Sequence, residues 1–191
     1  EGAGEYFART DVRGPWSGPP GIATAGEQSS QHLTCRQSFS ILMTDGYTSG
    51  GVAAAAVNAA RRANADGSTA GNTTNVHPDD TSLNFTYAPN PPFQDGRPNT
   101  LADIAMYYWK RDLRPDIANR VPSSNRNPAF WQHMVTYGVG LGVGGSIDPA
   151  DAWNAVQNGT PINWPNPGFG DENSTGSATN CSAATGECAA R

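Results

Sequence analysis

The run Phe39-Ser40-Ile41-Leu42-Met43 ends abruptly in Thr44-Asp45-Gly46. Short, nearly continuous in apolar residues and closed by a glycine, it reads as a central β-strand buried in a sheet. Such a strand constrains the chain strongly, because its exposed edges must be covered by another segment. It also delivers one carboxylate, that of Asp45, to the rim of the sheet. Open α/β sheets bind ligands and ions there, beyond the carboxyl ends of their strands. A hard cation needs several oxygens, of which Asp45 supplies one or two.

The remaining sequence narrows the class. A chain of 191 residues suits one domain with a real core. Gly (22) and Pro (15) together approach a fifth of it, and charged residues reach only 15%, which implies more loop than a compact enzyme of this size carries. A net charge of −5, with aromatic residues not interleaved with basic ones, argues against a nucleic-acid surface. No run of about 18 apolar residues occurs, so no membrane span is expected. Neither an initiator Met nor a signal peptide opens the chain, and Glu1 reads as an internal start. Cys181 and Cys188 sit close together in a Ser/Thr/Ala/Gly tail and read as a local disulfide formed in an oxidising compartment. Cys35 is left over as a free thiol, one end of a long-range bridge, or the mate of a cysteine elsewhere.

Along the chain, Glu5 to Arg9 reads as the frayed end of a helix, and Gly18-Pro19-Pro20-Gly21 as a turn. The Ala-rich stretch from Gly51 to Ala65 has helix propensity with a weak amphipathic pattern and predicts a short exposed helix. Leu83 to Tyr87 alternates at period two and predicts a hairpin strand. Thr100 with Asp103 three residues on forms a capping box. It opens a helix whose stripe is Leu101, Ile104, Ala105, Tyr108 and Trp109 and which stops near Leu113 and Pro115. Phe130 to Val143 predicts the second main strand, with His133 inside it. Asp148 caps a short helix that has Pro149 at its first position, and from Asn158 onward the chain reads as loop. Strand, crossover helix and strand in this order imply a parallel pair and an α/β architecture. Two strands cannot cover two helices, so the domain is incomplete.

Other residues take plainer readings. His32, His77 and His133 share no ligand spacing and read as structural, and Asp79-Asp80 beside His77 as a solvated loop. Gly138-x-Gly140-x-Gly142 lacks the following helix and later acidic residue of a dinucleotide loop. No Gly-x-Ser-x-Gly elbow occurs, so no hydrolase triad is assembled. The scatter of Trp16, Trp109, Trp131, Trp153 and Trp164 suits core and loop anchoring better than a sugar-binding face.

Three long blocks also carry a resemblance. They are Cys35 to Tyr47 (CRQSFSILMTDGY), Asn99 to Pro115 (NTLADIAMYYWKRDLRP) and Phe130 to Val143 (FWQHMVTYGVGLGV), joined by Tyr6-Phe7 and Gly14-Pro15-Trp16 near the start. In that order they resemble the von Willebrand factor A-like domain of PilY-type proteins, the tip-associated adhesins and assembly factors of bacterial type IV pili. The match runs from about residue 5 to residue 165, and the tail from Gly170 departs from it. The resemblance implies an incomplete von Willebrand factor A-like (Rossmann-like) α/β domain with long loops over residues 1–169; the Ser/Thr/Gly-rich tail over 170–191 lies outside it and reads, from its own residues, as a loop closed by Cys181 and Cys188.

The resemblance further implies a metal-ion-dependent adhesion site built from three loops, of which Thr44-Asp45-Gly46 matches the third. No Asp-x-Ser-x-Ser occurs in this chain, and by the family's order that loop and the Thr loop fall upstream of Glu1. Mg²⁺ is therefore expected only in an intact protein, with Asp45 as one ligand, and no cofactor is expected in this chain alone. The expected function is non-enzymatic: an adhesion and assembly module supporting pilus biogenesis and surface attachment, exported through the periplasm to the pilus tip. Its expected partners are minor pilins or other pilus components, a host or surface ligand, and the remainder of its own polypeptide. The alternative is a secreted carbohydrate-binding or hydrolase fragment that uses its aromatic loops.

Overall fold

The longest helices begin where the sequence supplies caps. In the computed structural model, which describes residues 1–22, 24–44, 62–70, 72–98, 100–141 and 147–164, the elements are α1 (Gly2–Phe7), β1 (Ser38–Thr44), β2 (Asn75–Val76), β3 (Asn84–Phe85), α2 (Leu101–Lys110), β4 (Met134–Gly140) and α3 (Pro149–Asn158), with a 3₁₀ turn at Ser29–Gln31. At the head of α2, Thr100 Oγ1 accepts from the Asp103 amide at 3.2 Å. Asp103 Oδ2 in return accepts from the Thr100 amide at 2.8 Å and its hydroxyl at 2.9 Å. This is the expected capping box. At α3, Asp148 accepts from the Ala150 amide at 2.7 Å and Pro149 occupies the first turn. Gly159 closes the helix in the left-handed region at φ 64°, which a glycine adopts without steric cost.

β1 and β4 are neighbours in a two-stranded sheet. Just past the end of β4, the Leu141 amide donates to the Thr44 carbonyl, at the carboxyl end of β1, at 2.8 Å. Two seven-residue strands joined at their carboxyl ends overlap along their length only if they run parallel. In a parallel ladder that bond sets Thr44 opposite Gly140 and therefore Ser38 opposite Met134. The predicted strand–helix–strand pairing is thus present, and the second strand starts at Met134 rather than at Phe130.

Contacts divide the chain into two compact units, Glu1–Ser40 with Gly71–Tyr87 and Tyr108–Thr136, and Ile41–Ala70 with Ala88–Tyr107 and Tyr137–Arg191. The core of the first unit is Ala129, Phe130 and Trp131, with Phe85 and Trp109 packed against it. Phe85 stacks on Trp131 with ring centroids 5.0 Å apart, and Trp109 meets the same ring edge-on at 5.5 Å. Phe85 is presented by the antiparallel β2–β3 hairpin, in which Asn75 pairs with Phe85 and Val76 with Asn84. The predicted strand at Leu83 to Tyr87 is there but shorter, and its partner lies in a stretch too polar to read as strand. Trp16 is fully buried, its indole donating to the Phe7 carbonyl at 2.7 Å. Gly4 of α1 lies against the Tyr108 ring where any Cβ would collide, and the Tyr108 hydroxyl donates to Glu5 at 2.5 Å.

The second unit is organised by the other oxygen of Asp103. Oδ1 accepts from the amides of Ala65 at 2.7 Å and Asp66 at 3.4 Å. This explains two departures from expectation. Arg62 to Ala65 is not helical, because Ala63 takes a left-handed φ of 49° and the following amides turn to the carboxylate; residues 51–61 of the predicted helix lie outside the described residues. The buried face of α2 is also rotated, with Asp103 0% and Leu101 45% exposed. Asn64 donates to the Asp95 carbonyl at 3.2 Å, and Gly67 accepts no side chain because a Cβ there would meet that same carbonyl at 2.5 Å.

Replacing Asp103 with Ala orphans several buried donors and is expected to lower stability by about 3 kcal/mol or more. Asp148→Ala removes one exposed cap and is expected to cost only about 1 kcal/mol. Urea unfolding of both variants checks the order; equal losses would contradict it.

Candidate functional site

The register of β1 against β4 decides which side chains share a face. Residues opposite each other in a parallel ladder point the same way, and neighbours along a strand point opposite ways. Phe39, Ile41 and Met43 therefore lie on one face beside Val135, Tyr137 and Val139. Phe39 is 47%, Ile41 65%, Met43 63% and Tyr137 51% exposed. The other face carries Ser40, Leu42 and Thr44 beside Thr136, Gly138 and Gly140, a smaller and more polar set. Within the second unit the sheet thus presents Ile41, Met43, Tyr137 and Val139 as an apolar face.

This corrects the expectation of a buried strand. The sequence of β1 suits a strand covered by layers, yet among the described residues it has one ladder neighbour and its apolar residues face outward. Thr44 is the last described residue of the Thr44-Asp45-Gly46 motif, its carbonyl held by Leu141. Asp45 itself lies outside the described residues, as do Cys181 and Cys188. Among the described residues no group of three or more His, Cys, Asp or Glu side chains is arranged to hold a metal ion, and no helix is long and apolar enough to cross a membrane. One carboxylate at a strand end does not make the near-octahedral oxygen shell of Mg²⁺. Among the described residues no donor set fits the ion, and no chemistry is routed through it.

His77 accepts from the Asp79 amide at 3.2 Å, and Asp79 pairs with Arg120 at 2.7 Å on an exposed surface. That guanidinium holds the Asp79 carboxyl below the ordinary range, and Ser82 does the same for Asp80. Trp16 and Trp131 are fully buried and Trp164 donates to the Pro92 carbonyl at 2.8 Å, so these serve as anchors. Cys35 is a free, exposed thiol. His133 is buried, ahead of β4 rather than within it.

One polar centre was not legible. Arg114 is fully buried and grips Asp116 through one edge of its guanidinium, Nε to Oδ1 at 2.7 Å and a terminal nitrogen to Oδ2 at 2.6 Å. The other terminal nitrogen donates to the Arg9 carbonyl at 3.1 Å, and the terminal nitrogen on Asp116 also lies 3.0 Å from His32 Nδ1. Since a guanidinium only donates, that nitrogen of His32 is the acceptor. The Arg114 contact depresses the Asp116 pKa. In the sequence, Arg111-Asp112-Leu113-Arg114-Pro115-Asp116 looks like any charged loop after a helix, and the ring-like spacing of Arg114 and Asp116 about a proline is its only signal.

No family model matches the chain, and no solved structure matches it either. Curated relatives do. A protein of Pseudomonas aeruginosa PAO1 named "Type IV pilus biogenesis factor PilY1" is 36% identical over 195 aligned residues, covering 90% of this chain and 15% of the relative. Proteins of the same name from strain PAK and strain UCBPP-PA14 are 37% and 31% identical, over 76% and 80% of this chain. The chain spans about 15% of the length of the first of these relatives and 12–13% of the other two.

Arg114→Ala removes the donor that holds three acceptors and is expected to destabilise the chain by about 2–3 kcal/mol, below the range for fully buried pairs because Asp116 is partly exposed. Asp116 has a depressed folded pKa, so its contribution is present above the ordinary carboxylate value and is lost as pH falls below it. That part of the acid limb should be missing from the variant. Denaturation midpoints measured from neutral pH downward check both statements.

Proposed function

Since the chain belongs to the PilY1-type type IV pilus proteins over the segment that it shares with them, we propose that it is a non-enzymatic adhesion and assembly module of a pilus biogenesis factor. The observation that carries this reading is the extent of the relationship, 36% identity over 90% of the chain. The apolar face of the β1–β4 sheet supports it. All-parallel strands are stable when both faces are covered, and exposed contiguous apolar surface of this kind serves association. The occupant is the remainder of the polypeptide, which extends the parallel pair into a larger von Willebrand factor A-like sheet. Minor pilins or other pilus components then dock on the completed domain, which works outside the cell or at the cell surface, at the pilus tip, after export through the periplasm.

In this reading Asp45 is the third limb of an adhesion site whose other two loops are supplied from elsewhere in the polypeptide. In the longer protein such a site would hold Mg²⁺ with Asp45 as one of its ligands. The alternative of a sugar-binding or hydrolase fragment is weakened at Trp16 and Trp131, which are buried and have no ring face for a sugar, while Trp153 is 49% exposed.

Two measurements test the proposal. Ile41→Asp is expected to change the stability of the 191-residue chain by less than about 0.5 kcal/mol, as at other exposed sites. In the longer protein the same substitution should destabilise by several-fold more and reduce piliation; equal tolerance in both would defeat the covered-sheet reading. Titration calorimetry with Mg²⁺ should show no binding by the chain alone and binding by the longer protein that Asp45→Ala removes. Micromolar binding by the chain alone would overturn the incomplete-site reading.

A further inference from the structure

Four residues in the first unit are joined in a ring of hydrogen bonds that passes through the backbone carbonyls of Trp109 and Trp131. Trp131 Nε1 donates to the Trp109 carbonyl at 2.9 Å, and Trp109 Nε1 reaches Asn127 Oδ1 at 3.0 Å. Asn127 Nδ2 lies 3.0 Å from His133 Nε2, and His133 Nδ1 lies 2.7 Å from the Trp131 carbonyl. Its polarity is fixed at every step. An indole nitrogen only donates, so the oxygen of Asn127 must face Trp109 and its amino group must face His133. A carbonyl only accepts, so His133 Nδ1 carries the proton, and Nε2 is left as the acceptor.

No second arrangement satisfies all four. A protonated His133 presents Nε2–H to the Asn127 amino group, two donors in contact. Turning the Asn127 amide to relieve this sets its amino group against the Trp109 indole, again two donors. Asn127 is half-buried, but His133 is 2% exposed, so water does not reach the ring end of the lost bond without opening the site. We infer that the Trp109–Asn127–His133–Trp131 circuit is an acid-sensitive latch, closed by neutral His133 and opened by its protonation, which frees the turn at Ser124–Asn127 from the end of α2.

The surroundings do not offset this. The elements packed about His133 carry Lys110 on α2, whose ammonium lies 5.3 Å from the Tyr87 ring, His77, edge-on to Phe130 at 5.4 Å, exposed Arg126 beside Asn127, and Asp112 after α2, whose carboxyl burial pushes up. None of them is a hydrogen-bond partner of His133. Burial lowers its pKa, opposed only by the bond to the Trp131 carbonyl. With the folded value below the unfolded one, stability is complete above the ordinary histidine value and declines as pH falls below it.

The test uses the full chain. Nitrogen NMR should show His133 as the Nδ1–H tautomer at about pH 7, with no titration near the ordinary value of about 6.5. The melting temperature should fall by about 4 °C per pH unit below about pH 6, and less steeply in His133→Gln. Asn127→Asp is the second variant: a carboxylate accepts from both the indole and a protonated ring, so the titration of His133 should move up and the acid loss should shrink. An Nε2–H tautomer, an ordinary titration, or an Asn127→Asp profile that matches the parent would each overturn the latch.

Discussion

Much of the second unit depends on one buried carboxylate. Asp103 receives donors on both oxygens, from its own helix start through Thr100 and from the chain at Ala65 and Asp66. A charge removed from water is tolerated only when its lone pairs are filled, and burial alone raises its pKa. The local consequences follow from that requirement. Ala63 accepts a left-handed backbone, Gly67 admits no side chain, and α2 turns an acidic residue rather than Leu101 inward. A capping residue thus becomes the tie between two segments distant in sequence.

The first unit solves the same problem differently. Its core is aromatic, and each aromatic polar atom is given a partner: Trp16 to Phe7, Trp131 to Trp109, Tyr108 to Glu5. Large rings fill space with few side chains, which suits a unit rich in loops. Arg114 plays the matching part for the backbone, capturing the Arg9 carbonyl while its charge is met by Asp116. The β1–β4 sheet stands apart from both arrangements. Its polar backbone is paired along one edge of each strand, but its apolar face is not covered among the described residues.

Helix starts were legible because caps are local. Thr100 with Asp103, and Asp148 with Pro149, announce their helices within a few residues. The two main strands were legible from apolar and β-branched runs, and their parallel pairing from the helix between them. The hairpin partner Asn75–Val76 was not, since two residues in a Ser/Thr/Asn stretch carry no period. Phe130 to His133 looked like strand because aromatic residues favour sheets, but their rings and polar atoms are committed to the core before β4 begins. The burial of Arg114 and the Asn127–His133 link were invisible for a deeper reason. A hydrogen-bond circuit is closed by residues 2–22 positions apart, and no spacing rule encodes it.

The strand-end motif shows where sequence and structure divide. Sequence alone determined that Phe39 to Met43 is a strand ending in Thr-Asp-Gly, that a parallel partner follows the helix, and that the long blocks resemble the PilY-type proteins. These depend on local pattern and on the order of segments, both written in the chain. Only the tertiary structure decided which face each side chain takes, because a ladder shifted by one residue would reverse them all. It placed Ile41, Met43, Tyr137 and Val139 together on an open apolar face, and it put Asp103 inside and Leu101 outside. Burial is a property of what surrounds a residue, and that is settled by packing rather than by the residue itself.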